Sequence, residues 1–303
     1  MKKIKNTEIV DTFAEAFEMW ASRLIVTAES EEWALAAAKS ATGFATSVIG
    51  CKCEAGIEKL LKQEETPDNR YGVSILIFTM NAKSLEKRLT ERIGQSIMTC
   101  PTPACFNGLD SKDSVNVGGQ LKYFGDGYQI RKSFLGRRFW RIPVMDGEFI
   151  VDEKFNIQPA VGGGNIILLA KDQGSALVSA QAAVKAMQSL PNIILPFPNG
   201  VVRSGSKVGS KKYKTLPAST NHSFCPTLKG FVNDSNLPDE ANATLEIVID
   251  GLDLESVEKA MLVGIQAASG ENILQISAGN YGGSLGKYKI NLNEVLAKQG
   301  GEE

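Results

Sequence analysis

Histidine is nearly absent: the 303-residue chain carries one, His222. A Ser-His-Asp or Cys-His triad would have to rest on that single imidazole, and a multi-histidine metal centre has no ligands to draw on. Cysteine is scarce and odd in number, five, which fits reduced thiols better than a disulfide framework. Cys51-x-Cys53 and Cys100-x4-Cys105 come near metal spacing, but structural zinc wants paired two-residue knuckles. No stretch approaches the roughly 18 unbroken apolar residues of a membrane helix. Lys2 and Lys3 are followed by no apolar run, so a signal peptide is not expected and the chain is expected in the cytoplasm. Neither charge sign dominates, since 33 basic and 34 acidic residues leave a net charge of −1. There is no global pull toward nucleic acid or an anionic membrane, and any anion binding has to come from local clustering.

What the chain does have is apolar residue, 43% of the total, enough for a substantial core and about two domains. Arg23–Ala28 (RLIVTA) reads as a strand, and Ser30 caps the helix EEWALAAAKSA. FATSVIG reads as a second strand, with a loop beginning at Glu54. GVSILIFT follows as a strand, then a helix capped by Ser84, then a strand at Ser96–Thr99. The same order returns later. NIILLA (165–170), a helix from Ser175 to Gln188, NIILPF, TLEIVI (244–249), a helix capped by Asp253 and the strand Ile273–Ser277 repeat it. Two β-α-β-β-α-β units predict an α+β protein of two similar ferredoxin-like α/β-sandwich lobes. The expected domains are 1–150, with inserted β-hairpins, and 151–303, with a basic glycine-rich loop. Each sheet is expected to carry helices on one face and to hide the other against its twin or another subunit.

Between the repeats, QLKYFGDGYQIRKSFLGRRFWRIPVMDGEFIVDEKF alternates aromatic and polar residues and predicts hairpins, with bends at Gly125-Asp-Gly127 and Asp146-Gly147. Arg137, Arg138 and Arg141 beside Phe139 and Trp140 raise nucleic-acid stacking, but the neutral overall charge favours a hairpin edge that packs into a partner. Asp11, Thr12 and Glu15 read as a helix start.

Two stretches carry chemistry. From Pro196 to Lys214, PFPNGVVRSGSKVGSKKYK, three spaced glycines accompany Arg203, Lys207, Lys211, Lys212 and Lys214 with no acid among them. Small residues that expose backbone N–H groups beside cations suit an anion, though a solvated basic loop has the same composition. The order of its residues is not that of a Walker A loop. Glu246 stands mid-strand beside apolar neighbours, where desolvation raises a carboxyl pKa and leaves a neutral proton donor. The alternative is a paired glutamate at a subunit interface. Ser219-Thr220-Asn221 and Ser277-Ala-Gly-Asn280 offer hydroxyl, amide and backbone donors suited to an oxyanion, or simply to turns.

DTFAEAF (11–17), ATGFATS (41–47), EAGIEK (54–59), ETPD (65–68), RIGQ (92–95), YFGDGY (123–128), GEFI (147–150), PFPNGVV (196–202), SGSKVGSKKYK (204–214), LPASTN (216–221) and ISAGNYGG (276–283) resemble the formylmethanofuran–tetrahydromethanopterin formyltransferases. The likeness runs almost end to end. Ala45 and Asn199 stand where glycine is usual, Asn69 and Tyr71 alter the turn after ETPD, and Ser284 and Asp250 replace an expected lysine and asparagine. The resemblance implies two α/β lobes, a homotetramer, and no metal or prosthetic group. It also implies transfer of a formyl group from the amine of methanofuran to a ring nitrogen of tetrahydromethanopterin, both acidic carriers. Glu246 matches the family's buried glutamate in the EIVI strand and is the candidate catalytic acid. Arg203, Ser206, Lys207, Lys211, Lys212, Ser219, Thr220, Asn221 and Asn280 are the candidate substrate-binding residues. In some bacteria relatives of the family it resembles work as one subunit of a formyltransferase/hydrolase complex, so a non-catalytic carrier-docking subunit of such a complex is the rival reading; no nucleic-acid or membrane partner is expected.

Overall fold

The structure is a computed structural model that describes residues 2–134 and 136–298. The chain forms two compact units rather than splitting once at residue 150. Met19–Ala160 makes one, and the residues up to Glu18 join the chain from Val161 onward in the other. The reason is pairing. Phe13–Ala28 is one long strand whose first residues pair with Tyr288–Asn291, and Thr7–Ile9 runs parallel to Ile273–Ser277, so the N-terminal segment belongs with the C-terminal sheet. For the same reason DTFAEAF is strand, not a helix start.

Within Met19–Ala160 the strands lie in the order Ala104–Asn107, Phe13–Ala28, Tyr71–Thr79, Glu54–Leu61, every neighbour antiparallel. Helices Glu31–Thr42 and Ala82–Arg92 close the repeat, the second capped by Asn81 rather than Ser84. Two expected strands are displaced. FATSVIG forms a loop and a one-turn helix, Val48–Cys51, because Ser47 caps it, Phe44 takes a positive φ and the Glu54 carboxyl accepts from Val48 N. The strand therefore begins at Glu54, where a loop was expected. Ser96–Thr99 is not a strand: Ser96 and Ile97 end a helical turn, Ile93–Ile97, whose Ile93 and Ile97 are one turn apart and both buried, and Met98 and Thr99 follow in a turn.

Ile130–Phe134, Arg137–Val144 and Gly147–Asp152 form the expected hairpins, with one bend at Asp146-Gly147 and the other at Gly136 instead of Gly125–Gly127. Their arginines are occupied: Arg137 pairs with Asp152, Arg138 with Glu153 and Arg141 with Glu148. Cations already neutralised by neighbouring acids make a poor phosphate track.

In the other unit the order is Ile273–Ser277, Phe155–Ala170, Ala243–Gly251, Ile193–Ile194, again antiparallel throughout. Helix Gln173–Met187 starts on Asp172, whose side chain accepts from Ser175 N at 2.9 Å, and Leu254–Ala268 starts on Asp253. Val257, Ala260, Met261, Gly264, Ile265 and Ala268 form the buried stripe that the spacing predicts. Gly264 permits close packing of the two helices, since a Cβ there would sit 1.8 Å from Met187 Cε. Ile166, Leu168, Ile247 and Ile249 point into this helical core. The opposite sheet face is not bare. Ile167 and Leu169 are covered from within the same unit by Ala241, Phe224 and Leu237, which come from the long insertion after Ile194. Glu246 is on that covered face.

Candidate functional site

Glu246 stands opposite Ile167 in the strand Ala243–Gly251. Strand alternation sends Ile247 and Ile249 to the helices and Glu246 to the insertion. On its other edge Glu246 meets Val202, an isolated antiparallel bridge that fixes the start of the basic loop. The loop then forms a small hairpin, Ser206–Val208 against Ala218–Thr220, with Lys207 opposite Ser219. Gly205 and Gly209 flank its first strand at φ +52° and +68°, angles that most side chains resist. Asn199 also takes a positive φ, +47°, a region that asparagine tolerates.

Two cavities meet at Glu246. One, of about 410 Å³, is walled by Lys207, Ser206, Asn165, Asn236, Ser277 and Asn280, among others. The second, of about 510 Å³, is walled by Arg203, Ser204, Gln173, Cys225, Thr227 and Thr244, among others. Glu246, Asn221 and Phe224 line both.

The Glu246 carboxyl makes no hydrogen bond or ion pair with the described residues, and burial pushes its pKa from 4.5 up to about 7. Part of the side chain stays exposed where it borders the cavities, while crowding by protein on its remaining sides strips most of its hydration. The carboxyl is thus divided between neutral and ionised forms near neutral pH.

Lys207 is held rather than free. Its Nζ donates to Ser219 Oγ at 2.5 Å, and Ser219 Oγ donates to Gly209 O at 2.6 Å. Two of the ammonium's three donors stay available to a ligand. Arg203 makes no ion pair or side-chain hydrogen bond among the described residues. The first cavity also holds Glu8, which accepts from Gln275, and Asp11, which accepts from Asn293, so its charge is mixed.

The sequence candidates divide accordingly. Arg203, Ser206, Lys207, Asn221, Asn280 and Glu246 line the cavities. Ser219 orients Lys207, and Thr220 contacts Cys225 Sγ at 3.4 Å. Lys211 and Lys212 line neither cavity. Lys211 lies 2.9 Å from His222 Nε2 and 3.5 Å from Asp234, and Lys212 stands over the Tyr213 ring. Sequence reasoning missed Phe224, common to both cavities, and Asn165. The Asn165 amide accepts from Gly279 N at 2.6 Å and donates back to Gly279 O at 3.2 Å, holding a stretch of cavity wall. A polar residue opening an otherwise apolar strand, NIILLA, was the available signal.

Residues 2–144 match the family of formylmethanofuran-tetrahydromethanopterin formyltransferases, and residues 147–295 match the description of its proximal lobe. A formylmethanofuran–tetrahydromethanopterin formyltransferase of Methylococcus capsulatus is 54% identical over 97% of this chain and 99% of its own length. The solved formyltransferase of Methanosarcina barkeri superposes with a TM-score of 0.92 at 46% identity, covering 97% of this chain and 100% of the other. A chain of the formyltransferase/hydrolase complex of Methylorubrum extorquens, solved with methylofuran, gives 0.94 at 44% identity, covering 97% and 98%.

Proposed function

The chain belongs to the formylmethanofuran–tetrahydromethanopterin formyltransferase family, and from that premise we propose how its residues move a formyl group between methanofuran and tetrahydromethanopterin. The observation that carries the reading is one carboxyl, Glu246, common to two adjoining cavities. Two carriers that exchange an acyl group need two sites and one reacting centre. In this reading each cavity seats one carrier and the formyl carbon lies beside Glu246.

Transfer is direct. The pterin amine attacks the formyl carbon to give a tetrahedral oxyanion, the bond from that carbon to the methanofuran nitrogen breaks, and the methanofuran amine leaves with a proton while the attacking pterin nitrogen gives one up, which returns Glu246 to its neutral form. No nucleophile–base pair is needed, and alignment in one confined place supplies about 7–11 kcal/mol of the acceleration. Neutral Glu246 donates to the developing oxyanion or to the leaving amine, and Asn221 provides an amide donor at the same junction. Arg203 and Lys207 meet the carriers' acidic groups; Lys211 and Lys212, outside both cavity walls, meet only the carriers' outer tails. No resident metal or prosthetic group takes part in this scheme.

We assign the active form to a homo-oligomer, a tetramer, with further formyltransferase/hydrolase subunits in a bacterial setting; the Methylorubrum extorquens relative was solved in such a complex. The test is an absorbance assay of formyl transfer by the purified chain with both carriers, run beside its mass in solution. Carrier binding without transfer by the isolated chain would replace the enzyme reading with that of a docking subunit.

A further inference from the structure

Glu15 is 1% exposed and lines neither cavity. Among the described residues its carboxylate has no cationic partner. It gathers four backbone N–H groups instead. Oε2 accepts from Tyr281 at 2.6 Å and Gly283 at 2.8 Å, and Oε1 accepts from Leu285 and Gly286, both at 2.6 Å. Four donors fill the four acceptor positions of an ionised carboxylate. Burial alone would raise the pKa; the four amides outweigh it and hold the group below the ordinary value, so it is an anion at neutral pH.

The turn gathered in this way, 281–286, continues directly from Ala278, Gly279, Asn280 and Tyr281, which wall the 410 Å³ cavity. The same region grips the wall twice more. Glu15 N donates to Gly279 O at 3.2 Å, and Asn280 Nδ2 donates to Thr12 Oγ1 and Phe13 O at 3.2 Å each. The surrounding strand does not need the carboxylate, because Lys289 and Glu15 already pair through their backbones. What the carboxylate alone holds is the turn.

We infer that Glu15 is a positioning residue for formyl transfer: as a buried anchor for residues 281–286, it sets the backbone path of the cavity wall Ala278–Tyr281 against which one carrier lies. The inference rests on the proposed function. A site whose supporting contacts are loosened loses binding geometry before it loses its fold.

The test compares Glu15→Gln, Glu15→Asp and the surface control Glu18→Gln in the full chain. Gln presents an amide NH2 to two of the four N–H donors, whereas Asp keeps the charge on a shorter stem. Glu15→Gln is expected to raise KM for one carrier about tenfold or more with kcat within about threefold. It is also expected to speed amide exchange at Tyr281, Gly283, Leu285 and Gly286. Glu15→Asp recovers part of the KM, and Glu18→Gln leaves it unchanged. A lower melting temperature with wild-type KM and kcat in the folded protein overturns the inference. Should Glu15→Gln not fold, Glu15→Asp decides: faster exchange at the four amides with unchanged KM overturns it equally. A wild type that transfers nothing defeats the functional reading and this inference with it, whereas an active wild type with an unaltered Glu15→Gln variant defeats this inference alone.

Discussion

Val202 and Glu246 exchange two backbone hydrogen bonds, Val202 N to Glu246 O at 2.7 Å and Glu246 N to Val202 O at 3.0 Å. Val202 is the residue before Arg203, so one bridge fastens the basic loop to the sheet at the acid itself. Arg203 and Glu246 enter the wall of the same cavity because of it. Guanidinium and carboxyl are positioned by backbone, which is stiffer than any pairing of two long side chains.

Replacing Glu246 by Gln keeps the shape and removes the transferable proton. Turnover is expected to fall about 10²–10³-fold, the range for loss of one preorganised donor to a developing oxyanion, with KM for both carriers within about threefold. In the proposed scheme the acid form is the active one, so with a pKa of about 7 wild-type kcat should decline as pH rises through that value. The Gln variant should lack this limb. Steady-state absorbance kinetics across pH reads both, and a tenfold KM increase with intact kcat would make Glu246 a binding group.

The same carboxyl destabilises the fold in alkali. Its folded pKa, about 7, exceeds the unfolded 4.5, so between these values the native state holds a proton that the unfolded chain has released. Stability attributable to this group therefore falls as pH rises through that window and stays low above it. Glu246→Gln should stabilise the protein by at most about 3 kcal/mol near pH 8 and by much less near pH 5. Urea unfolding at the two pH values measures it; equal shifts at both would mean that the carboxyl is not desolvated.

Anion binding is expected to follow the cavity walls rather than the count of lysines. Arg203→Ala and Lys207→Ala should each raise KM for an acidic carrier about five- to tenfold at low salt and flatten its dependence on ionic strength. Lys211→Ala should do far less, since Lys211 is exposed and already close to Asp234 and His222. KM measured over a salt series separates them, and an equal loss from Lys211 would move the binding surface outward along the loop.

The repeat was readable because helix caps and apolar stripes are local. Asp253 and the Val257–Ala268 stripe follow from spacing alone, as does Ile273–Ser277. Glu246 was readable because a carboxyl among β-branched residues violates the strand's own pattern. Glu15 was not. An acid after Asp-Thr looks like a helix start, and its real partners lie more than 260 residues away in the chain. FATSVIG failed for a related reason, since the caps and left-handed residues that turn it into a loop outweigh its β propensity. The cations were legible as a cluster, but which of them face a cavity depends on the hairpin register of Lys207 with Ser219, a tertiary fact.

The two units share strand order yet differ where the acid stands. Pairing places Glu246 opposite Ile167, and in the other unit it places Ser74 opposite Ile25, the matching residue of RLIVTA. There Ser74 Oγ donates to Glu58 at 2.6 Å, and Glu58 takes a bidentate pair from Arg23, Nε and Nη2 both at 2.7 Å. The position that carries a desolvated acid in one unit is closed by a satisfied ion pair in the other. Arg23→Met should therefore act on stability alone. Removing one partner leaves the Glu58 charge buried with its guanidinium gone, and the expected loss is about 3 kcal/mol, the low end for a broken buried pair because Arg23 keeps some exposure. Changing Glu58 to Gln together with Arg23 to Met should recover much of that loss, since no charge then remains to be desolvated. Denaturant melts read the stability change, and kcat and KM of the folded variant should match the wild type. A fall in kcat without unfolding would mean that the second unit also contributes to the chemistry.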